Sequence, residues 1–488
     1  SSKVCYDKRA ACSSRPPSFA RERKSFVLSL AHTHNGADLG KDPVRRLLFQ
    51  LALPSILAQL INLLYNLVDR MYIGHIPDVG ATALTGVGVT MPLILCISAF
   101  AALVSMGGAP RASILLGKGE KDQAEQVLGN CTTMLVITAL VLTVVVQVFG
   151  PDLLLFFGAS QATLPYAWDY TRIYAMGTLF VQLALGLNAF INAQGFARTG
   201  MLTVALGAGC NIVLDPIFIF ALDMGVRGAA LATVIAQGCS AVWVLKFLTG
   251  RKAILRLRLR NLALGAGRVK SIVALGLSGF FMNLTNSLVQ VVCNATLQAY
   301  GGDLYVGVMT IINSLREVFF MPVQGLTNGA QPVTGYNYGA GRYSRVRSSI
   351  RFSVAVTVGY AAVFWAAAML FPGLLIRVFN SEPEVVAAGI PALRIYFCLF
   401  IPMSPQMAGQ GVFVSLGRSK QAVFFSLLRK AIINAPLTVV LPIWMGTTGV
   451  FTAEAISQLV GGLACSLTMY FTVYRPLGSL PDQPLERV

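Results

Sequence analysis

The chain has 488 residues, of which 55% are hydrophobic and 12% are charged, and its mean hydropathy is +0.67. This composition excludes an ordinary soluble globular protein and predicts a multi-pass membrane protein. The formal net charge is +18, but no basic groove interleaved with aromatic residues accompanies it, so we expect no nucleic-acid partner. The nine cysteines include no CxxC pair and only three histidines occur, so we expect no metal centre and no cofactor.

Twelve apolar segments are each long enough to cross a bilayer. The predicted spans are 47–73, 81–106, 126–149, 166–193, 199–222, 228–249, 270–299, 304–330, 350–371, 390–415, 421–444 and 449–473. They divide the chain into a disordered tail (1–45), an N-terminal lobe (46–250), a basic linker (251–269), a C-terminal lobe (270–475) and a C-terminal tail (476–488). Lys and Arg concentrate in the breaks after even-numbered spans, which predicts cytoplasmic termini.

The two halves of the membrane region match each other at an offset of 222 residues. The positions that coincide include Gly107 with Gly329, Gly117 with Gly339, and 172–174 with 394–396. Glycines at matching places imply matching turns and close approaches. We therefore predict an all-α membrane protein with twelve transmembrane helices in two parallel-repeat six-helix lobes. Secondary transporters use this arrangement, with the substrate path between the halves.

A carboxylate in the fifth span is the first candidate functional group. Asn211 precedes Asp215 by one helical turn, and Pro216 follows it directly. An ionised carboxylate at membrane depth costs at least about 2.5 kcal/mol, so one that persists usually faces a cavity or a partner. Because proline cannot donate a backbone hydrogen bond, we expect the helix to bend or open beside the acid.

A polar stripe in the first span carries a second carboxylate. Asn62, Tyr65, Asn66 and Asp69 share one helix face. If Asp69 and Asp215 occupy one pocket, burial and like charge both penalise their ionisation. Such a pocket can load and release a proton or a small cation such as Na⁺. The alternative is that these polar groups only join helices by hydrogen bonds.

The second half has no acid opposite either aspartate, because Val291 and Leu437 occupy those positions. Its polar residues form a neutral stripe in span seven and an Arg-Glu pair in span eight: Asn283, Asn286, Gln290, Asn294, Arg316 and Glu317. We take Asn283, Gln290, Arg316 and Glu317, with Asn62 and Asn66, as substrate-path candidates. Structural ion pairing is an equal alternative for Arg316 and Glu317. We attribute Glu454, early in the last span, to a favourable interaction with the helix dipole.

The run MPVQGLTNGAQPVTGYNYGAGR at 321–342 resembles the multidrug and toxic compound extrusion (MATE) family. Two further stretches support the resemblance, LPSILAQLINLLYNLVDRMYIG at 53–74 and NIVLDPIFIFALDMGVRGAALATVIAQ at 211–237. It covers residues 45–475 and implies twelve helices in two lobes. It also implies export of organic cations and other amphiphiles in exchange for H⁺ or Na⁺.

Similarity to the DinF-like branch of this family implies a cation site in the N-terminal lobe. The matching positions are Tyr65, Asp69, Tyr170, Asn211, Asp215 and Thr233. The NorM-like branch relies instead on acids in spans seven and ten, and this sequence has none there. The resemblance therefore favours cation coupling at Asp69 and Asp215.

We thus predict a secondary active multidrug exporter of the plasma membrane, not an enzyme. It works as a monomer in the lipid bilayer and moves small amphiphilic or cationic drugs by alternating access. One alternative is a lipid-linked oligosaccharide flippase, which needs many cationic residues along a central groove, whereas only Arg316 stands out. The other is a membrane-embedded enzyme that uses Asp69 and Asp215 as an aspartyl dyad.

Overall fold

The computed structural model of the chain describes residues 37–77 and 79–483, apart from the side chains of Ala81, Asn283 and Ser287. This part of the chain is almost entirely helical and contains no β-strand. The all-α prediction is therefore confirmed. Residues 1–36, which make up most of the predicted tail, lie outside the described residues.

Six helices form the first half. They are α1 (Val44–Gly74), α2 (Gly80–Gly117), α3 (Lys121–Phe156), α4 (Leu164–Met176 and Thr178–Ala193), α5 (Ala197–Pro216) and α6 (Gly225–Thr249). The two parts of α4 meet at an angle of 59°. Past Pro216, α5 continues as a π-helical turn, Ile217–Ala221. This turn is the irregularity that the proline predicted beside Asp215.

The second half begins with a helical run, Ala266–Gly339, that breaks at Gly302, where φ is 63°. We call its two parts α7 (266–301) and α8 (303–339). The remaining helices are α9 (Tyr343–Leu370), α10 (Pro383–Phe397 and Met403–Ser415), α11 (Ser419–Leu427, Leu428–Asn434, Ala435–Val440 and Pro442–Met445) and α12 (Thr447–Met469 and Tyr470–Tyr474). Segments Leu428–Asn434 and Tyr470–Tyr474 are π-helical. Short helices lie at Leu259–Asn261, Pro372–Arg377 and Pro476–Gly478.

These helices account for the twelve predicted spans. Among the described residues nine helices are long and apolar enough to cross a bilayer, and bent α4 makes a tenth. Separating α7 from α8 at Gly302 gives the eleventh, and the two parts of α10 give the twelfth. Outward-facing side chains are apolar, such as Leu140, Val144 and Val148 on α3, which are about 60% exposed. Helices that face lipid have such surfaces.

The two halves meet through glycines at the end of the bundle that carries the basic loops, here called the basic end. A Cβ atom at Gly117 on α2 would clash with the carbonyl oxygen of Tyr336 on α8. Likewise, a Cβ atom at Gly339 on α8 would clash with the carbonyl oxygen of Ile114 on α2. The offset of 222 converts each contact into the other, because 114 + 222 = 336 and 117 + 222 = 339. The repeat thus produces paired close contacts, which small residues permit between membrane helices.

Residues 37–43 are ordered by contacts with both halves. The carbonyl oxygen of Leu39 accepts hydrogen bonds from Asn337 at 2.9 Å and from Arg345 at 3.3 Å. The amide of Ala37 donates to the carbonyl oxygen of Gly195, after α4, at 3.4 Å. The last residues of the predicted tail (1–45) thus have backbone polar groups with partners at the basic end.

Candidate functional site

Two buried carboxyl groups lie side by side in the N-terminal lobe. Asp69 on α1 is 6% exposed and Asp215 on α5 is 0% exposed, and their side chains are within hydrogen-bonding range of each other. Neither forms a salt bridge with a described Lys or Arg residue. Oδ1 of Asp69 and Oδ2 of Asp215 have no hydrogen-bond partner among the described residues. This pair therefore consists of two buried carboxyl groups without a bound cation from the protein.

Polar side chains from four further positions complete the network around the acids. Nδ2 of Asn211 donates to Oδ1 of Asp215 at 3.2 Å and to Oγ1 of Thr233, on α6, at 3.3 Å. The hydroxyl groups of Tyr65 on α1 and Tyr170 on α4 lie beside Thr233. The structure thus brings together all six positions that the family resemblance implied. Four different helices contribute to this network.

Local sequence explains the arrangement on α1 and α5. Tyr65 and Asp69 are one helical turn apart, as are Asn211 and Asp215, so each pair faces the same side of its helix. The π-helical turn after Pro216 ends the regular part of α5 directly beyond the acid. Such turns are frequent at functional sites. In the described part of the chain, no group of three or more His, Cys, Asp or Glu side chains is placed to hold a metal ion.

A polar cavity of about 350 Å³, the N-lobe cavity, lies next to the acidic network. Tyr65 lines this cavity and also belongs to the network around the acids, where it lies beside Thr233. Asn62 lines it as well, whereas Asn66 does not and instead donates to the carbonyl oxygen of Asn62 at 2.7 Å. Further polar residues of the lining are Ser55, Gln59, Asn188, Asn192, Gln237 and Ser240. A molecule in this cavity would therefore be one side chain away from the acids.

A second cavity of about 550 Å³, the C-lobe cavity, lies against the other half of the molecule. Four residues line both cavities, which therefore adjoin between the lobes: Gln59, Met106, Gln324 and Gln331. Arg316 and Glu317, two of the substrate-path candidates, line the C-lobe cavity. Gln290 instead donates to Asn294 on its own helix at 3.1 Å. The side chain of the remaining candidate, Asn283, lies outside the described residues.

A buried ion cluster that the sequence reasoning missed lies behind the C-lobe cavity. Nζ of Lys430 on α11 donates to both carboxylate oxygens of Glu454 on α12 at 3.0 Å. Nη1 of Arg429 lies 3.5 Å from Oε1 of the same carboxylate, and Nδ2 of Asn434 also donates to it. The cluster therefore contains two cations for one carboxylate.

Two sequence-based interpretations are corrected by this cluster. The helix dipole is not the main partner of Glu454, because this residue lies about two turns into α12 and binds cationic side chains of α11. Arg316 is not the only cation facing the central cavities, because Arg429 shares its wall. The missed signal was the pair Arg429-Lys430 inside an apolar span, since charges at membrane depth are costly and usually functional.

Comparison with known proteins identifies the family. The family model for MatE matches residues 54–217 and 279–440, which are corresponding parts of the two halves. The chain belongs to the MatE family. It is therefore a membrane transport protein, as the resemblance of its motifs to this family implied. A family of transporters gives no support to the alternative of an aspartyl enzyme.

Relatives and solved structures agree with this membership. Multidrug export protein MepA of Staphylococcus haemolyticus is 24% identical over 425 residues, which cover 87% of this chain and 92% of that protein. An FAD transporter of Shewanella oneidensis is 24% identical over 433 residues, or 87% and 94% of the two chains. A crystal structure of MATE in the bent conformation superposes with a TM-score of 0.85 at 22% identity and covers 90% of this chain and 97% of that one. This similarity confirms the two-lobe fold.

Proposed function

We propose that this protein is a multidrug exporter that moves amphiphilic and cationic drugs out of the cell in exchange for H⁺ or Na⁺. The similarity to multidrug export proteins from two Staphylococcus species supports the substrate class. The observation that carries the exchange step is the pair Asp69 and Asp215, two buried carboxyl groups in contact without a described cationic partner.

Electrostatics makes this pair a site for an exchangeable cation. Two carboxyl groups at hydrogen-bonding distance in dry surroundings repel each other strongly when both are charged. A shared proton or a bound Na⁺ removes that repulsion. Oδ1 of Asp69, Oδ2 of Asp215 and Oδ1 of Asn211 are without hydrogen-bond partners among the described residues. Oxygen atoms of this kind are the ligands that hard cations prefer.

The cation site is connected to drug binding through Tyr65, which lines the N-lobe cavity and belongs to the network around the acids. Repulsion between the empty, charged acids favours a wider separation of α1 and α5. Cation binding lets these helices approach and reduces the space for the drug, so cation and drug select different states. A membrane potential contributes about 2.3 kcal/mol per charge per 100 mV. An inward cation gradient can therefore drive outward drug movement.

Efflux of ethidium from loaded vesicles under an imposed gradient tests this proposal. Asp215→Asn and Asp69→Asn retain the size of the side chain but cannot ionise, so we expect gradient-driven efflux to be lost in both. Running the assay with a pH gradient alone and with a Na⁺ gradient alone identifies the coupling ion.

Asp169→Asn is the matched control for this experiment. Asp169 is also in the N-terminal lobe, but it pairs with Arg172 at 3.2 Å and with Arg227 at 2.9 Å, outside the acidic network. We expect its efflux to stay close to that of the parent. Gradient-driven efflux that persists in Asp215→Asn would remove the acidic pair from the mechanism.

A further inference from the structure

The C-lobe cavity has cationic groups on its wall that are only partly compensated. Arg316 on α8 and Arg429 on α11 line it, and Glu317 is the one carboxylate among its described lining residues. Lys430 and Glu454 form a closed ion pair behind the wall, with side chains only 4% and 5% exposed. The described residues that line the cavity therefore carry two positive charges and one negative charge.

Both guanidinium groups have more hydrogen-bond donors than protein partners among the described residues. Nη1 of Arg429 lies 3.5 Å from Glu454, whose two oxygens already accept from Lys430, and 3.7 Å from Sδ of Met403. Nη1 of Arg316 donates at 3.5 Å to the hydroxyl of Tyr396. Each guanidinium carries five N–H donors. The contacts above involve only one terminal nitrogen of each guanidinium.

No carboxylate of the described residues lies within 4 Å of the Arg316 guanidinium. Its nearest cation–π partner is the ring of Phe320, whose centroid is 6.0 Å from Cζ. A guanidinium with no carboxylate in direct contact can form charge-assisted hydrogen bonds with an anion that enters the cavity. Carboxylate and phosphate groups match the planar fork of arginine and form short, strong hydrogen bonds with it.

The remainder of the wall suits a flat apolar body attached to such an anion. Thioethers and an aromatic ring contribute much of it, and glutamine amides add neutral polar groups; examples are Met282, Met321, Met407, Phe320, Gln406 and Gln410. Methionine side chains adapt to ligands of varied shape. A volume of about 550 Å³ falls within the range of pockets that hold drug-sized ligands.

We propose that the C-lobe cavity binds the anionic group, a carboxylate or a phosphate, of amphiphilic substrates through Arg316 and Arg429. This inference rests on the proposed export function and extends its substrate class from cations to amphiphiles with one anionic group. Glu317 on the same wall limits the ligand to one anionic group, because its carboxylate would repel a second one.

Binding of two matched pairs of fluorescent probes to the purified protein tests the inference. Riboflavin and FMN differ by one phosphate group, and rhodamine 123 is the methyl ester of rhodamine 110, which has a free carboxylate. Charge-assisted hydrogen bonds predict that the parent protein binds the anionic member of at least one pair about tenfold more tightly or better. Preference for FMN identifies phosphate as the recognised group, and preference for rhodamine 110 identifies carboxylate.

Arg316→Met and Arg429→Met should each reduce this preference severalfold. Arg394→Met is the matched control, because Arg394 is an exposed residue of α10 outside the C-lobe cavity, and it should retain the full preference. If a methionine variant does not fold, the corresponding lysine variant, Arg316→Lys or Arg429→Lys, takes its place. The lysine variant should lose part of the preference for the anionic probe, because lysine lacks the planar, forked set of donors of a guanidinium group. Equal affinity within both probe pairs in the parent protein, or a preference that survives in both arginine variants, overturns the inference.

This measurement is independent of the proposed export function. Equilibrium binding requires no gradient, whereas ethidium efflux requires one, so each can fail alone. Loss of gradient-driven efflux in Asp215→Asn together with equal affinities for riboflavin and FMN and for both rhodamines would support export and reject the anion site. A preference for the anionic probes without any gradient-driven efflux in the parent would support the anion site and reject the export function.

Discussion

The two lobes hold buried charge in opposite ways. In the N-terminal lobe, Asp69 and Asp215 lie together without a described cationic partner. In the C-terminal lobe, Glu454 accepts from Lys430 and lies close to Arg429. A charge that its neighbours compensate is held in place, whereas an acidic pair without a cationic partner is suited to bind an exchangeable cation. The comparison therefore supports the N-terminal lobe as the half that contains the proposed cation site.

Backbone irregularities occur at both places. The π-helical turn Ile217–Ala221 follows Asp215, and the π-helical turn Leu428–Asn434 contains Arg429 and Lys430. Turns of this type place one more residue in a helical turn and so redirect the side chains that follow. The same scaffold thus presents acids in one lobe and bases in the other.

The largest expected difference concerns stability after removal of an acid from each lobe. Glu454→Gln leaves Lys430 and Arg429 buried without a carboxylate, which should lower the free energy of unfolding by about 3 to 5 kcal/mol. Asp215→Asn removes one of two like charges and should leave stability unchanged or raise it. Thermal unfolding of the purified protein in detergent measures both.

A double variant provides the control for this comparison. Lys430→Met with Glu454→Leu removes both members of the ion pair, and we expect it to recover much of the loss, because apolar residues can replace a buried pair at little cost. Equal losses in Glu454→Gln and Asp215→Asn would show that the two lobes do not differ in charge compensation.

The next largest difference concerns the asparagines beside the acids. Asn434 donates to Glu454, and Asn211 donates to Asp215 and Thr233. Asn434→Ala should cost about 1.5 to 3 kcal/mol of stability, since a hydrogen bond to a charged group is lost. Asn211→Ala should chiefly reduce gradient-driven ethidium efflux. Unfolding curves and efflux rates of both variants check this, and the reverse pattern would contradict it.

The sequence singled out Asp69 and Asp215 because their signals are local. Lone acids at helical spacing from polar residues, within apolar spans, mark Asp69 and Asp215. The membrane spans and the repeat follow from hydropathy and from the positions of glycine. Packing of α1 against α5, α4 and α6 then brings the marked residues together, which spacing alone does not show.

The C-terminal cluster escaped prediction for two physical reasons. Its ion pair joins α11 to α12, so the partners are distant in sequence. The π-helical turn Leu428–Asn434 also redirects the side chains that it carries, so regular helical spacing in the sequence does not show that Lys430 and Asn434 both face Glu454. The Arg429-Lys430 pair itself was visible in the sequence.

Substitutions that disturb the packing between the lobes should affect stability almost equally in both lobes, unlike substitutions of the buried charges. Gly117→Ala and Gly339→Ala each place a methyl group against a carbonyl oxygen of the opposite lobe, so each should lose about 1 to 3 kcal/mol. The two losses should be similar, because the contacts are equivalent by the repeat. Gly359→Ala on α9, where a Cβ atom meets nothing within 4 Å, is the control. Thermal unfolding measures all three, and strongly unequal losses at Gly117 and Gly339 would contradict the equivalence.

The smallest predicted difference concerns the start of the third helix in each lobe. On α3 the first turn contains Asp122, whereas the matching residue on α9 is Ser344, since 122 + 222 = 344. The carboxylate at the start of α9 comes instead from the C-terminal segment, where Asp482 accepts from the backbone amide of Ser344 at 2.9 Å and from its hydroxyl. An acid near a helix N-terminus stabilises the helix wherever in the chain it originates.

Partial burial raises the pKa of Asp482, but the hydrogen bonds from Ser344 outweigh it and hold the pKa below its usual value of 3.8. A carboxyl group with a lowered pKa in the folded state stabilises the protein above its unfolded-state pKa, and this contribution disappears as pH falls through the lowered value. Asp482→Asn should therefore cost about 0.3 to 1 kcal/mol at pH 7, and the gap should close on acidification. Unfolding curves at a series of pH values check this, and Asp122→Asn at the start of α3 provides the comparison within the other lobe. A gap that stays constant with pH would mean that the charge of Asp482 does not stabilise α9.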